Sequence, residues 1–242
     1  MNPKQRAAEA SLQFVRDGMV VGLGTGSTAD YFLQALAAAL RAGRLKNVRG
    51  IPTSRQSERR AEHLGIPLIT LADAKPDVTI DGADEVAPNL DLIKGLGGAL
   101  LREKIVAQNS GQLIIIADAG KAVEKLGTKS PLPVEVAPFS HEVHAAFFRS
   151  LGATPTLRRT SDGAVYVTDN GNYIYDCKFT TIENAAALDV TLHGRAGVVE
   201  TGLFVGIASV ALIAAENGVE ERRARIVAHD ASKDRVSGKK RG

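Results

Sequence analysis

The sequence predicts an α/β protein, in which a largely parallel sheet is covered by helices and a smaller α+β unit of the split βαβ type is inserted late in the chain. Two observations predict this class. In the first half of the 242 residues, short runs rich in β-branched residues alternate with segments of helical length, as in repeated βαβ units. After Lys121 this alternation stops, and the stiff segment Ser130-Pro131-Leu132-Pro133 precedes a different pattern.

The first half of the chain is predicted to supply most of the main sheet. Short apolar runs predict buried strands at residues 19–23, 48–51, 67–69, 78–81 and 113–117. The segments between them predict helices at residues 3–15, 27–40, 54–64 and 99–107. Because open parallel sheets bind ligands at the carboxyl ends of their strands, the loops that follow these strands are the expected place for a site.

The second unit is predicted to mix short strands with two helices. Strands are expected at residues 134–137, 154–158, 165–167, 173–178 and 198–204, and helices at 141–151 and 184–192. The segment Asp169-Asn170-Gly171-Asn172 is a strong turn former between two of these strands. The chain then returns to the main sheet through residues 209–215. The predicted main domain comprises residues 1–129 and 205–242, and the small domain comprises residues 130–204.

Charge and composition exclude several classes of protein. The formal net charge is +3, but the last ten residues alone carry +4, so the body of the chain is nearly neutral and no nucleic-acid partner is expected. The basic tail is interpreted as a solvated chain end. The only cysteine, Cys177, lies in an alternating apolar run and is interpreted as strand packing rather than a nucleophile.

The same composition predicts a cytoplasmic protein without a membrane partner. A single cysteine permits no internal disulfide framework, which fits a reducing compartment. The first residues lack the apolar stretch of a signal peptide. The longest apolar runs, residues 113–117 and 205–215, are shorter than the roughly 20 residues that a membrane-spanning helix needs.

The first candidate motif is Gly22-Leu23-Gly24-Thr25-Gly26-Ser27-Thr28, which closes a strand and opens a helix. Small residues let the backbone approach a ligand, and the free N–H groups of a helix start attract anions. The motif therefore favours phosphate binding over the alternative, a tight turn with an ordinary Ser or Thr cap. It lacks the G-x-G-x-x-G spacing of dinucleotide-binding proteins and the Gly-Lys-Ser/Thr of a Walker loop.

The second candidate motif is Asp81-Gly82-Ala83-Asp84-Glu85-Val86, directly after the strand residues 78–80. It brings two carboxylates to the edge of the sheet where a ligand is expected. A turn or helix cap is one alternative interpretation of this sequence. A divalent-metal site is another, which the absence of histidine from the motif disfavours.

The third candidate motif is Lys94-Gly95-Leu96-Gly97-Gly98, followed by a helix that carries Arg102-Glu103-Lys104. Its lysine would stand beside the ligand, and Glu103 would lie on the first turns of the helix. The alternative for these helical charges is a solvated Glu–Lys face. Lys121, after the strand at residues 113–117, adds a second cation at the same edge of the sheet.

Taken together and in order, these segments resemble ribose-5-phosphate isomerase type A. The resemblance extends from about Lys4 to Val219 and includes Pro131-Leu132-Pro133-Val134-Glu135-Val136, Val167-Thr168-Asp169-Asn170-Gly171-Asn172 and Gly197-Val198-Val199-Glu200-Thr201-Gly202-Leu203-Phe204. It implies a Rossmann-like main domain, a homodimer, and reversible conversion of D-ribose 5-phosphate to D-ribulose 5-phosphate in the non-oxidative pentose phosphate pathway. It also implies that no cofactor and no metal is needed.

The resemblance also assigns residues. It implies that Glu103 is the catalytic base and that Asp81, Asp84 and Lys94 are the other residues of the reacting centre. It implies a phosphate-binding set of Ser27, Thr28, Lys121 and Lys4. The remaining predicted substrate-binding residues are Thr25, Gly26, Gly82, Ala83, Gly95, Leu96 and Gly97.

These residue types suit an aldose–ketose isomerisation. The reaction moves a proton from C2 to C1 through an enediolate, so it needs a base and a positive charge near the developing oxyanion. Glu103 would carry the proton and Lys94 would stabilise the oxygen, while Asp81 and Asp84 would orient hydroxyls and assist ring opening or proton transfer between oxygens. Phosphate binding would position the remote C1–C2 end.

Two features depart from the family pattern. Leu96 stands where the pattern usually has glycine, and a positive φ there would strain a leucine or give the loop a different course. The basic extension beyond about Arg225 has no counterpart in the family pattern.

Other functions remain as alternatives at this point. A non-catalytic sugar-phosphate sensor like the effector domain of DeoR-type regulators would need a DNA-reading module, and no helix-turn-helix precedes Gly22. A nicotinamide-dependent dehydrogenase is disfavoured by the glycine spacing. Another phosphosugar isomerase or a CoA transferase of related architecture would be separated by substrate assays.

Overall fold

The computed structural model describes residues 2–224, so the basic tail and the final residues of the predicted main domain lie outside the described part. The helices are α1 Pro3–Ser11, α2 Ser27–Arg41, α3 Arg55–Leu64, α4 Leu100–Gln108, α5 Val143–Ser150 and α6 Ala185–His193. The strands are β1 Val20–Leu23, β2 Arg49–Pro52, β3 Val78–Gly82, β4 Glu85–Val86, β5 Leu92–Ile93, β6 Leu113–Asp118, β7 Leu132–Val136, β8 Thr154–Leu157, β9 Tyr173–Lys178, β10 Val198–Thr201, β11 Leu203–Phe204, β12 Val210–Ala215 and β13 Gly218–Arg223.

Within the described residues the main sheet has six strands in the order β13-β12-β6-β3-β1-β2, and every neighbouring pair is parallel except β12 and β13. The fold class predicted from the sequence is confirmed. The inner strands of the main sheet are buried because helices cover both of its faces. On one face, Phe32 and Leu36 of α2 pack against Leu23 and Ile80. The carboxyl ends of β1, β3 and β6 lie side by side, and the loops that follow them face one another.

The smaller sheets are antiparallel. One has the order β10-β7-β9-β8, and a short three-stranded sheet has the order β11-β5-β4. The four-stranded sheet packs its apolar side chains, among them Val134 and Tyr175, against Phe148 of α5 in a separate core. Cys177 is buried in β9, as predicted. The division into two domains at residues 130 and 204 stays a prediction.

Local sequence explains where several helices begin and end. Asn2 caps α1 by accepting a hydrogen bond from the Gln5 N–H, and proline follows it at the first helical position. Ser54 and Ser57 form a reciprocal capping box at the start of α3, and Gly65 ends that helix in the left-handed conformation. Among the described residues no helix is both long enough and apolar enough to cross a membrane.

Several element predictions were wrong. Residues 67–69 form one parallel bridge, Gly50 to Leu68, instead of a strand, and residues 165–167 contribute only the bridge from Val165 to Arg159. The first helix ends at Ser11 and continues as a 3₁₀ turn.

The predicted strand 198–204 is two strands, because β10 pairs with β7 whereas β11 pairs with β5. They separate at Gly202, where a side chain would overlap the Lys94 carbonyl oxygen. Three observed strands were not predicted from the sequence: the two-residue strands β4 and β5 and the charged edge strand β13.

Candidate active site

A cavity opens where the loops after β1, β3, β5 and β6 converge. All of its lining residues belong to the predicted site: Lys4, Thr25, Gly26, Ser27, Thr28, Gly82, Ala83, Asp84, Lys94, Gly95, Gly97, Glu103 and Lys121. Of the predicted set, only Asp81 and Leu96 do not line it. The structure therefore brings together residues that are up to 117 positions apart in the chain.

The glycines of the first motif let β1 and β3 approach closely. A Cβ on Gly24 would lie 2.6 Å from the Cα of Asp81, and Gly26 has a φ of +104°, which a side chain would strain. The hydroxyls of Ser27 and Thr28 do not cap α2, which argues against the alternative interpretation as an ordinary capped turn. These hydroxyls border the cavity instead.

Two lysines from distant elements line the cavity. Lys4, on α1, donates a hydrogen bond to the Ser27 hydroxyl with an Nζ–Oγ distance of 2.9 Å. Lys121 follows β6 and borders the cavity as well. The cavity is suitable for a phosphate group because its lining includes two cations, two hydroxyls and the amino end of α2.

Lys94 is a buried cation between two carboxylates. Its Nζ lies 3.0 Å from Asp81 Oδ2 and 3.3 Å from Glu103 Oε1, and it also donates to the Gly82 carbonyl oxygen. Burial acts to lower the pKa of Lys94, but the charges of Asp81 and Glu103 outweigh it and raise the pKa above its ordinary value. Lys94 is therefore a charged ammonium at neutral pH.

Glu103 lies on the first turn of α4 and is buried, with 4% of its surface exposed. Its Oε1 faces Lys94, whereas its Oε2 is buried without a hydrogen-bond partner in the described structure. Burial raises the pKa of Glu103, Lys94 opposes that effect, and the neighbouring charges of Asp81 and Asp84 add to it. A buried carboxylate with a raised pKa and a free oxygen is typical of a general base.

The two aspartates occupy different positions. Asp81 is fully enclosed: its Oδ1 accepts from the Thr25 and Gly82 N–H groups, and its Oδ2 contacts Lys94. Asp84 lines the cavity, and its Oδ2 accepts a hydrogen bond of 2.9 Å from the Leu96 N–H. Asp81 is thus placed to hold the lysine, and Asp84 is placed to meet a ligand.

Comparison with known proteins decides the family. The sequence matches the profile of ribose 5-phosphate isomerase A (phosphoriboisomerase A) over residues 49–218. The chain belongs to this family. A ribose-5-phosphate isomerase A from Roseiflexus sp. (strain RS-1) is 51% identical, with 91% of this chain and 95% of the relative covered. The Gloeobacter violaceus protein of the same name is 54% identical, over 90% of this chain and 94% of the relative.

Solved structures of ribose 5-phosphate isomerases have the same fold. A D-ribose-5-phosphate isomerase in complex with phospho-erythronic acid aligns with a TM-score of 0.90 and 38% identity, covering 92% of this chain and all of that one. The ribose 5-phosphate isomerase A of Methanocaldococcus jannaschii aligns with a TM-score of 0.87 and 39% identity, covering 91% and 97%. This isomerase family replaces the sensor, dehydrogenase and CoA-transferase alternatives.

Leu96 is not strained, although it stands where the family pattern usually has glycine. Among the described non-glycine residues only Asn47, Leu90 and Ser140 have positive φ angles. The positive φ angles of this loop fall on Gly95, at +99°, and on Gly98, at +82°. The predicted ligand contact at the Leu96 backbone stays a prediction, and its N–H already donates to Asp84.

Substitution of Gly98 tests this description of the loop. We expect Gly98→Ala to lower the free energy of unfolding by about 1–3 kcal/mol, because the new Cβ would overlap the Tyr166 hydroxyl and the positive φ disfavours it. Gly97→Ala is the matched control. Its Cβ would meet only the Thr25 Cγ2, at 3.8 Å, so we expect a change within about 0.5 kcal/mol. Urea unfolding of both variants measures the difference, and equal effects would contradict the description.

The alternative of a solvated Glu–Lys face on α4 was wrong. Lys104 is buried as deeply as Glu103, and its Nζ donates to Glu200 Oε1 at 2.5 Å and to the Thr201 carbonyl at 2.9 Å. Arg102 donates to the Asn170 side chain at 3.0 Å. The residues on both sides of Glu103 thus connect α4 to β10 of the four-stranded antiparallel sheet and to the turn before β9 that carries Asn170.

Sequence reasoning missed a second group of residues around the cavity. Arg158 and Tyr166 lie between β8 and β9 of the four-stranded antiparallel sheet, and both contact the loop that carries Lys94. No motif in the sequence marks them, because they lie more than 60 positions from the residues that they contact.

Proposed function

We propose that this chain interconverts D-ribose 5-phosphate and D-ribulose 5-phosphate through an enediolate, a step of the non-oxidative pentose phosphate pathway. The observation that carries the proposal is the position of Glu103. Its unpartnered Oε2 belongs to a buried carboxylate that lines the cavity, and its other oxygen touches the ammonium of Lys94. A base beside a fixed positive charge is the pair of groups that enolisation needs.

The phosphate of the substrate would bind at the end of the cavity formed by Lys4, Ser27, Thr28 and Lys121. Two ammonium groups and two hydroxyls there can bind a dianion. Binding energy gained at the phosphate would hold the sugar's C1–C2 end near Glu103 and so lower the entropic cost of proton transfer.

Glu103 would carry the carbon-bound proton. In the aldose-to-ketose direction, its carboxylate takes the proton from C2, and the C2–H electron pair forms the C1–C2 double bond of the enediolate as charge moves to the C1 oxygen. The carboxylic acid then returns a proton to C1, the C1 oxygen gains the proton that the C2 hydroxyl loses, and the C2 oxygen becomes the ketone carbonyl. No electron leaves the substrate, so the chemistry calls for no redox cofactor.

Lys94 would stabilise the enediolate oxygen, and the two aspartates would divide the remaining work. Asp81 accepts hydrogen bonds from the Thr25 and Gly82 N–H groups and forms an ion pair with Lys94, so its role is to hold Lys94 charged and in place. Asp84 lines the cavity and can exchange protons with the substrate hydroxyls during ring opening or transfer between O1 and O2.

The experiment that tests the proposal is incubation of the purified protein with D-ribose 5-phosphate and excess chelator in deuterated water. We expect ribulose 5-phosphate to form with solvent deuterium at C1, since the proton on a carboxylate can exchange before it returns to carbon. Absence of the ketose would refute the activity. Product without any deuterium, from a reaction followed from its first turnovers, would instead favour hydride migration.

The chelator tests the proposal that neither a metal nor a cofactor is needed. Among residues 2–224, the one group of side chains with the spacing of a metal site is Asp189, His193 and Glu200, and none of them lines the cavity. Glu200 there already accepts from Lys104. We expect unchanged turnover with chelator, and loss of turnover that added metal restores would contradict this part of the proposal.

Glu103 is expected to titrate above the ordinary glutamate pKa of about 4.3 in the ligand-free protein. Burial disfavours its ionised form, so the carboxyl holds its proton to a higher pH, and the base is lost as the pH falls through that raised pKa. Carboxyl ¹³C NMR titration measures it, with Glu103→Gln used to assign the signal. A midpoint at or below 4.3 would contradict the electrostatic description of the site.

The homodimer and the cytoplasmic location also remain proposals, drawn from the resemblance and the composition. Light scattering on the purified chain at working concentration tests the first. A mass twice the 25.5 kDa of one chain is the expected result.

A further inference from the structure

The loop from Lys94 to Gly98 has little stiffness of its own. It contains three glycines, of which two have positive φ, and glycine-rich backbone samples many conformations. Within the loop, the Gly98 N–H donates to the Gly95 carbonyl at 2.9 Å, and at its start the Lys94 N–H donates to the Gly202 carbonyl at 2.9 Å. The peptide groups between these points need other partners to keep one orientation.

Arg158 supplies such partners from outside the loop. Its Nη1 donates to the carbonyl oxygens of Gly95 and Leu96, at 3.0 and 3.1 Å. The guanidinium is itself fixed on its other edge, because Asp176 of β9 accepts from Nε at 2.9 Å and from Nη2 at 2.5 Å. The Tyr166 ring lies 5.7 Å from the centre of the guanidinium. A planar fork held on one edge can orient what it binds on the other.

The peptide group that Arg158 binds is the one that holds Asp84. The Gly95 carbonyl and the Leu96 N–H belong to a single planar peptide unit, and in a trans peptide they point in opposite directions. Arg158 binds the oxygen of this unit, and the N–H of the same unit donates to Asp84 Oδ2 at 2.9 Å. Rotation of the peptide plane would therefore move the donor away from Asp84.

We propose that Arg158 is a positioning residue for Asp84, acting through the Gly95–Leu96 peptide plane and held in turn by Asp176. Arg158 does not itself line the cavity and reaches it only through the Gly95 and Leu96 carbonyl oxygens of the loop. Arg158 fixes the direction of the Leu96 N–H, and that N–H fixes the orientation of the Asp84 carboxylate, which exchanges protons with the sugar hydroxyls. The kinetic part of this inference rests on the proposed function, whereas the structural part does not.

A double-mutant cycle between Arg158 and Asp84 tests the kinetic part. In the otherwise wild-type protein we expect Arg158→Met to lower kcat for ribose 5-phosphate about 10-fold to 100-fold, through a displaced carboxylate. In the Asp84→Ala background the same substitution should change kcat less than about 3-fold, since the group on which it acts is gone. Equal losses in both backgrounds would show a general structural effect and overturn the proposal.

Two further variants keep the cycle informative. Arg158→Lys retains the charge, but one ammonium group cannot bind Asp176 and both carbonyl oxygens, so we expect a kcat between those of the wild type and Arg158→Met. Arg158→Lys also replaces Arg158→Met in the cycle if Arg158→Met does not fold. Arg159→Met is the matched control, because within residues 2–224 the side chain of this exposed arginine has one hydrogen bond, to the Gly163 carbonyl, and the variant is expected to keep wild-type kcat. A loss in Arg159→Met as large as in Arg158→Met would also overturn the proposal.

Amide hydrogen exchange tests the structural part without any activity. In Arg158→Met we expect the Leu96 amide to exchange at least about 10-fold faster, while the Lys94 amide, which donates to Gly202, keeps its protection. Unchanged exchange at Leu96 would overturn the proposal even if kcat falls. Faster exchange in a protein that proves inactive on ribose 5-phosphate would instead refute the proposed function and leave the loop mechanism standing.

Discussion

Glu103→Gln is expected to reduce kcat for ribose 5-phosphate by about 10²–10⁴-fold while the protein stays folded. Glutamine has nearly the same size and can still meet Lys94 with its carbonyl oxygen, but it cannot take a proton from carbon. Because the glutamate is buried with a raised pKa, removing its charge should not destabilise the fold. The rate is measured by following ribulose 5-phosphate, and the fold by thermal unfolding.

The control for this prediction is Glu62→Gln, on the exposed side of α3, which should keep full activity. Glu103→Gln should also lose deuterium incorporation at C1 in proportion to its loss of product. Near-wild-type turnover in folded Glu103→Gln would contradict the assignment of the base.

Lys94→Met is expected to affect both activity and stability. Removing a charged donor from an oxyanion typically costs about 10²–10³-fold in kcat. The same change leaves Asp81 and Glu103 buried without their cation, and breaking such a buried pair typically lowers the free energy of unfolding by about 3–5 kcal/mol. Urea unfolding and steady-state kinetics measure the two effects.

The pH dependence of the stability loss follows from the pKa directions. The folded-state pKa of Lys94 is raised, so its stabilisation is present below the ordinary lysine pKa of about 10.4 and is lost only as the pH rises through the raised value. The deficit of Lys94→Met should therefore persist from neutral pH to about pH 9. It should shrink in acid, because protonated carboxyls no longer need a cation.

Lys104→Met is the matched control, since Lys104 is equally buried and also lies over the Phe204 ring, but it pairs with Glu200 outside the cavity. We expect it to lose stability with a much smaller loss of kcat. If Lys94→Met lost no more kcat than Lys104→Met, the oxyanion role of Lys94 would be wrong.

The sequence predicts two of the loops that line the cavity because the carboxyl ends of neighbouring parallel strands lie at one edge of the sheet. Gly24–Thr28 and Asp81–Asp84 lie at the carboxyl ends of β1 and β3, which are neighbours in the parallel sheet, whereas Lys94–Gly97 follows β5 of the short antiparallel sheet and reaches the cavity through pairing that the parallel-sheet pattern does not predict. The order of these motifs also carries the family resemblance. Lys4 needed that resemblance, since nothing local to α1 distinguishes it from a solvated lysine.

Other parts could not be predicted because they depend on tertiary contacts. Arg102-Glu103-Lys104 has the composition of an exposed helical face, and only tertiary contacts identify the buried positions, with Lys104 against β10 and Glu103 against Lys94. The break at Gly202 and the two-residue strands β4 and β5 arise from pairing between distant segments. Arg158 acts on a loop 62 positions earlier in the chain, which no local pattern encodes.

The central claim is spatial: one end of the cavity binds the phosphate and the other end presents Glu103 and Lys94 to C1 and C2. A crystal structure of this protein with phospho-erythronic acid, the ligand of a solved isomerase of this fold, tests it most directly. We expect the phosphate to contact Ser27 and Lys121, with the carbons at the opposite end about 3–3.5 Å from the Glu103 carboxylate. A ligand bound in the reverse direction would contradict the claim, and so would a ligand bound away from Lys121 and Glu103 in the adjacent cavity, which shares Ser27 but is lined by Arg59 and Arg60.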